Sequence, residues 1–312
     1  MLLRLWILLA CAWQVCLAAP GAQAAPLVVI VSSDNSAAYV ETAQSLIQEL
    51  ERGGLSRHSV LQLNASQWSA SRDESPRLYV ALGSEAADLL ARSATGVPVL
   101  CALLPRGSFE SILSREGRKG SSRFSALFLD QPLARQFHLI RLAFPALRRV
   151  GVLWGPESSR DRSELRALAQ ASAVQLVEAE VSKDAPLFPA LKQVLDGTDL
   201  LLAVPSPQVY NNSTIQNILL ASFRANVPMM AFSSAYGRAG ALLALYVTPV
   251  QVGVQAAQMA RAVLEGKALP GSGAYSNDFQ ISVNEHVARS LGLSLDVQFL
   301  SRGLRQSEGL PW

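Results

Sequence analysis

The sequence predicts an α/β fold: parallel sheets built by two successive series of strands and helices, the layout of a two-lobed protein with a cleft between its lobes. Three observations carry this. Short apolar runs recur along the chain and each stops at Pro, Gly or Ser, as strands buried on both faces do. Between them lie stretches of helical periodicity, and a helix between two strands makes their connection parallel. The pattern also restarts at Asp130-Gln131-Pro132, near the middle of the chain.

The first strand covers residues 26–31 and ends in Ser32-Ser33-Asp34-Asn35-Ser36, a turn and helix-cap cluster. A helix over 37–52 follows, with Val40, Ala43, Leu46, Ile47 and Leu50 on one face, and Gly53-Gly54 stops it. Strands are expected at 58–63 and 78–82. The latter ends in Gly83-Ser84 and opens a helix to 92. A strand over 97–104 stops at Pro105, residues 114–122 read as a polar loop, and 124–129 is a strand. In the second series a helix over 133–144 is broken by Pro145, and a strand over 149–154 is closed by Gly155-Pro156. Helices at 159–171 and 187–195 flank a strand at 174–181. The run 200–204 stops at Pro205-Ser206-Pro207, a helical pattern follows to 226, and strands are read at 227–232 and 241–247. A long amphipathic helix over 249–264, a loop at 270–273, a strand at 279–283 and a short helix at 285–291 complete the chain. Periodicity leaves open which lobe takes the long helix and the last strand. Residues 301–312 are expected to form a poorly ordered tail.

Residues 1–24 read as a cleaved export signal: Arg4 supplies the positive region, 5–19 are mostly apolar, and Ala22-Gln23-Ala24 fits the small-x-small rule. A membrane anchor needs about 20 apolar residues, and Gln14 interrupts this shorter run. Cys11 faintly resembles a lipid-attachment site, but the apolar stretch before it is too short. No later run is long and apolar enough to span a membrane, so the mature chain is expected not to do so. The whole chain has 312 residues, half of them hydrophobic and 16% charged, enough for two domains with sizeable cores. Its net charge of +3 is too weak to argue for nucleic acid, and the cluster Arg115, Arg118, Lys119 and Arg123 lacks interleaved aromatics. Cys11 and Cys16 leave with the signal. Cys101, within an apolar run, reads as a buried, inert thiol.

Catalytic patterns are missing. There is no dinucleotide fingerprint, P-loop or Gly-x-Ser-x-Gly elbow. His58, His138 and His286 lie far apart, without spaced metal-ligand partners. No cofactor, metal or enzymatic role is expected. What remains is a set of small polar residues where strands end, the place at which open α/β sheets hold ligands. The candidate ligand-binding residues are Ser32, Ser33, Asp34, Ser84, Asp130, Trp154, Ser206, Ser233, Ser234 and Tyr236, with Tyr210 and Tyr246 nearby. Hydroxyls and free helix N–H groups suit the polar end of a solute, and aromatic faces its apolar body. Each also reads, alone, as an ordinary cap or core aromatic; together they favour a site.

Four stretches carry a family resemblance: Ala81-Leu-Gly-Ser-Glu-Ala-Ala87; Pro145-Ala-Leu-Arg-Arg-Val-Gly-Val-Leu-Trp154; Asn226-Val-Pro-Met-Met-Ala-Phe-Ser-Ser234 with Arg238-Ala-Gly-Ala-Leu242; and Val252-Gly253 to Gly266 with Asn284 to Leu293. In their order and spacing the chain resembles the ABC transporter substrate-binding proteins of the type I periplasmic fold, the family that includes aromatic amino acid binders. The resemblance implies two Rossmann-like lobes joined by three crossovers, near Asp130, Val247 and Asn277. The N-terminal lobe would hold 25–130 plus about 248–276, and the C-terminal lobe 131–247 plus about 277–300. It further implies a periplasmic protein that clamps a small-molecule solute by hinge closure and presents it to an ABC permease in the inner membrane. Carried over by position, Ser32 and Ser33 fall in the first-strand loop, Ser84 in the third-strand turn and Ser206 in the second-lobe pocket. Ser234 stands where many relatives place an aspartate that would hold a ligand ammonium. The alternative within the same fold is a ligand sensor that reports to a receptor, or a degenerate lobe pair without a transport role.

Overall fold

The computed structural model describes residues 26–310, apart from 70–74, 94–95, 157 and 183–185. The expected signal segment, 1–24, lies outside the described residues. The first series runs β1 (Val28–Ser32), α1 (Ala37–Arg52), β2 (Val60–Asn64), β3 (Leu78–Leu82), α2 (Ser84–Arg92), β4 (Val99–Leu104), α3 (Arg106–Arg115) and β5 (Phe124–Phe128). The second runs α4 (Leu133–Ala143), β6 (Arg149–Trp154), α5 (Ser159–Ala171), β7 (Gln175–Glu180), α6 (Leu187–Leu195), β8 (Leu200–Leu202), α7 (Ile215–Arg224), β9 (Met229–Ala231), α8 (Ser234–Ala239) and β10 (Leu243–Tyr246). The closing segment holds α9 (Pro249–Leu264), β11 (Ala274–Tyr275), β12 (Gln280–Val283), α10 (Glu285–Ser290) and α11 (Val297–Ser307).

These strands form two sheets of six, ordered β11-β5-β4-β3-β1-β2 and β12-β10-β9-β8-β6-β7. All pairings are parallel except that of β10 with β12. The α/β class with parallel sheets thus holds, and its cause is visible in burial: β1, β3 and β5 are buried along their whole length. Apolar side chains on both faces demand helices on both faces. The chain passes between the sheets three times, after β5, after β10 and between β11 and β12.

The long helix α9 joins the first sheet, a placement that periodicity left open. Thr248 caps it by accepting from the Gln251 N–H at 3.2 Å, and the Gln251 side chain accepts from the Thr248 N–H at 2.9 Å. Pro249 occupies the first turn, where its missing N–H costs nothing. Val252, Ala256, Ala257 and Ala260 then pack on Ala43, Leu46 and Leu50 of α1. The helices meet so closely at Gly253 that a Cβ there would lie 2.5 Å from the Thr42 carbonyl oxygen.

Three local expectations are corrected. No element was expected over 106–113, yet α3 fills it, because Phe109, Ile112 and Leu113 form a buried face at helical spacing. The tail expected from 301 is instead the body of α11. Asp296 caps this helix through the Gln298 and Phe299 N–H groups, Leu300 and Leu304 are buried, and Glu308 pairs with the buried Arg135 of α4 at 2.5 Å. The helical pattern expected up to 226 begins only at Ile215. Before it, the Asn211 side chain accepts from the Ser213 N–H at 3.0 Å and the Thr214 hydroxyl donates to the Val209 carbonyl at 2.7 Å, holding a turn. No helix among the described residues is long and apolar enough to cross a membrane.

Candidate functional site

A cavity of about 550 Å³ lies between the two sheets. One wall comes from the first sheet: Ser84 at the start of α2, then Pro105, Gly107, Ser108, Ser111 and Arg115 along α3. The opposite wall is the loop after β8, with Pro205, Ser206, Pro207, Tyr210 and Asn211, and Phe232 after β9. Its volume is in the range of small-molecule pockets, about 300–1,000 Å³.

The first wall is held by backbone devices. Gly83, between β3 and α2, has φ +87°. A Cβ there would meet the Tyr39 and Ser33 hydroxyls, at 2.5 and 2.7 Å, so only glycine fits this turn. The Ser33 hydroxyl donates to the Leu82 carbonyl and accepts from the Ala86 N–H, each at 2.9 Å. It caps α2 from another strand. The pairing of β4 with β5 shifts register between Cys101 and Leu104, and Leu103 has φ +56°. A left-handed leucine and a bulge at one strand end re-aim the chain before Pro105 and seat α3 over the cavity. Beneath it, burial pushes up the pKa of the Cys101 thiol, so it stays protonated, in line with an inert core thiol.

On the second wall the Ser206 carbonyl accepts from the Val209 and Tyr210 N–H groups, at 3.2 and 2.8 Å, fixing the turn. The Ser206 hydroxyl and the Tyr210 phenol are both buried, and neither has a hydrogen-bond partner. Burial, and secondarily Tyr236, push the Tyr210 phenol above its usual pKa, so it keeps its proton. Tyr210, Phe232 and Tyr236 stack edge to face in series, with centroid separations of 5.9 and 5.2 Å.

Of the ten sequence candidates, Ser84 and Ser206 stand on the cavity wall. Ser32 is buried at the end of β1 with its hydroxyl unpartnered, but it does not line the cavity. Ser33 is the cap described above, and Asp34 accepts from the Ser36 N–H at 2.6 Å on the surface. Ser233 caps α8 by accepting from the Tyr236 N–H at 3.3 Å; Ser234 opens that helix, and Tyr236 backs Phe232. Trp154 faces away, at the β6–β7 edge, where its indole donates to Glu178 at 2.7 Å under the Arg162 guanidinium. Missed in the sequence were Gly107, Ser108, Ser111 and Arg115, all on α3. The signal that could have found them is the spacing of Phe109, Ile112 and Leu113.

Asp130 occupies a different junction, beside the cavity. Its carboxylate accepts from the Arg106 N–H at 2.7 Å. Burial raises its pKa to about 6 and Asp161 adds to the rise, against the lowering pull of the Arg106 N–H, its own N–H and the Arg106 charge. The Arg106 side chain, 9% exposed, bonds Glu110 at 3.0 Å and the Tyr275 hydroxyl at 2.7 Å. It also reaches Glu164 of α5 at 3.5 Å, an ion pair between elements of the two sheets.

A family model described as ABC transporter substrate binding protein matches residues 62–304. The match begins in β2, so Ser32, Ser33 and Asp34 lie outside it. No curated protein sequence matches the chain. Among solved structures, a conserved domain protein from Vibrio cholerae is similar at 22% identity and TM-score 0.63, over 89% of this chain and 98% of that one. A ligand-free, open substrate-binding protein with adhesive properties from Clostridium difficile is similar at 17% identity and TM-score 0.67, over 86% and 95%. An ABC domain from Streptococcus pneumonia, in complex with L-Trp, gives 15% and 0.60, over 88% and 98%. At such identities the likeness is one of fold.

Proposed function

Because the chain belongs to the ABC transporter substrate-binding protein family and has the type I periplasmic binding fold, we propose that it captures one small polar or aromatic solute in the cavity between its sheets and presents it to an ABC permease. The observation that carries this reading is the pair of buried, unpartnered hydroxyls of Ser206 and Tyr210 on the cavity wall. A buried polar group without a partner costs about 1–3 kcal/mol, and a ligand that bonds both removes that cost. Ser33 and Ser233 cap helices beside the cavity, and such caps help to keep a binding wall rigid.

In this reading the lobes comprise 25–130 with about 248–276, and 131–247 with about 277–300 extended through α11. They close on the solute as hinged bodies, and the closed state gains population only through contacts the ligand makes better there. The Arg106–Glu164 pair lies between elements of the two lobes and favours their approach. The chain works without catalysis or cofactor, in the periplasm, after removal of residues 1–24. Among the described residues no group of three His, Cys, Asp or Glu side chains could hold a metal ion.

The test is a thermal-shift screen of the chain from Ala25 against amino acids, aromatic acids, purines and small sugars. A ligand at 100 times its Kd adds about 2.7 kcal/mol of stability. A hit that Ser206→Ala abolishes supports capture in this cavity. A shift that survives both Ser206→Ala and Tyr210→Phe places binding elsewhere and defeats the reading.

A further inference from the structure

Resting on that capture reading, we infer that the solute is an aromatic carboxylate that carries no ammonium group. The inference comes from the charges on the cavity wall. Among the described residues no aspartate or glutamate lines it, and the one ionic side chain among them that does is the cation Arg115. The closest acid in contact with that cation is Asp88, which is already shared between Arg115 and Arg92. An ammonium group entering the cavity would therefore lose its water and find no carboxylate, and an uncompensated buried charge costs several kcal/mol.

An anion meets the opposite surroundings. Two helices begin at the wall, α2 with Ser84 and α3 with Gly107 and Ser108. Among the described residues, the N–H groups of Ser84, Gly107 and Ser108 donate to no protein acceptor. Their neighbours are engaged, Ala86 by Ser33 and Arg106 by Asp130. Each helix start carries about half a positive charge, and free first-turn N–H groups bind carboxylates. The second observation lies across the cavity: Ser206, 3% exposed, and Tyr210, 4% exposed, hold hydroxyls with no partner. These suit a polar substituent at the far end of the solute. Between the two ends, Pro105, Pro205, Pro207 and Phe232 offer flat apolar faces for a ring.

The experiment is isothermal titration of the chain from Ala25 with two matched sets: 3-phenylpropionate, phenylalanine and phenethylamine; and indole-3-propionate, tryptophan and tryptamine. The acid of at least one set is expected to bind tenfold or more tighter than its amino acid, with no measurable heat from the amine. Ser108→Asp places a carboxylate on the wall at a helix position that favours one, so folding is kept while acid binding falls at least tenfold. An amino acid that binds as tightly as its acid overturns the inference, and so does acid binding unchanged by Ser108→Asp. If no member of either set binds, the inference falls; a hit elsewhere in the wider screen then leaves solute capture standing, and a silent screen sinks both.

Discussion

Tyr210→Phe should raise stability and lower affinity at once. The substitution deletes one oxygen and keeps the ring, so the edge contact with Phe232 at 5.9 Å survives. In the free protein that oxygen is buried without a partner, a state that costs about 1–3 kcal/mol. Removing it should return that amount, and at about 2–4 °C per kcal/mol for a domain of this size the melting temperature rises by about 2–12 °C. In the complex proposed above the same oxygen would donate to the solute. Its loss leaves a ligand acceptor unpaired, for about 1–3 kcal/mol, or about 5- to 150-fold in Kd. Calorimetric melting of the free chain and titration with the solute found by the screen read the two effects separately. If the variant melts below the parent, the hydroxyl already has a partner in the free state, and the argument that the cavity is incomplete without ligand collapses.

Three other perturbations probe the surrounding structure. Asp130 has a folded pKa of about 6 against an ordinary 3.8, so its contribution is fully present below the ordinary value and is lost as pH rises through 6. At about 1.36 kcal/mol per pH step, and allowing for partial solvent contact, the loss is about 1–3 kcal/mol. Asp130→Asn, whose amide oxygen can still accept the Arg106 N–H, should flatten the fall in stability between pH 4 and pH 7, read by urea unfolding at several pH values. A slope equal to the parent's would show that Asp130 does not set it. Gly253→Ala should cost about 1–3 kcal/mol by forcing α9 off the α1 backbone; an unchanged denaturation midpoint would mean that the two helices are not in tight contact. Ser33→Ala should cost about 0.5–2 kcal/mol, as loss of a helix cap does, and should loosen the Ser84 turn, visible as faster amide exchange over 83–87.

The inner strands were legible because they are buried on both faces, which leaves continuous apolar runs such as those of β1 and β3 that need no periodicity to be seen. Helix α3 was hidden because Gly107, Ser108, Ser111 and Ser114 dilute its pattern, and its buried residues number few beside the polar ones. That one omission removed most of the first cavity wall from view. The same ambiguity affected the serines. A serine after a strand reads identically whether it caps a helix, as Ser33 does, or keeps a free hydroxyl, as Ser206 does. The difference lies in partners from other strands, and a sequence does not record which strands are neighbours. Trp154 follows the same rule: its position at a strand end was legible, but β7 beside it and Glu178 on that strand turn it to the outer edge.

The order in which the chain completes its sheets bears on how it is made. The first sheet receives β11 and its covering helix α9 only after all of the second sheet but β12 has been laid down. Until then Ala43, Leu46 and Leu50 have no α9 to cover them, and the Thr42 hydroxyl waits for a carbonyl 207 positions further along. Contacts at such separations close late and slow folding. A nascent chain ending at residue 247 holds both sheets one strand short, with open edges that invite pairing with other chains. Neither half can finish alone, and the last part of the chain decides when both do.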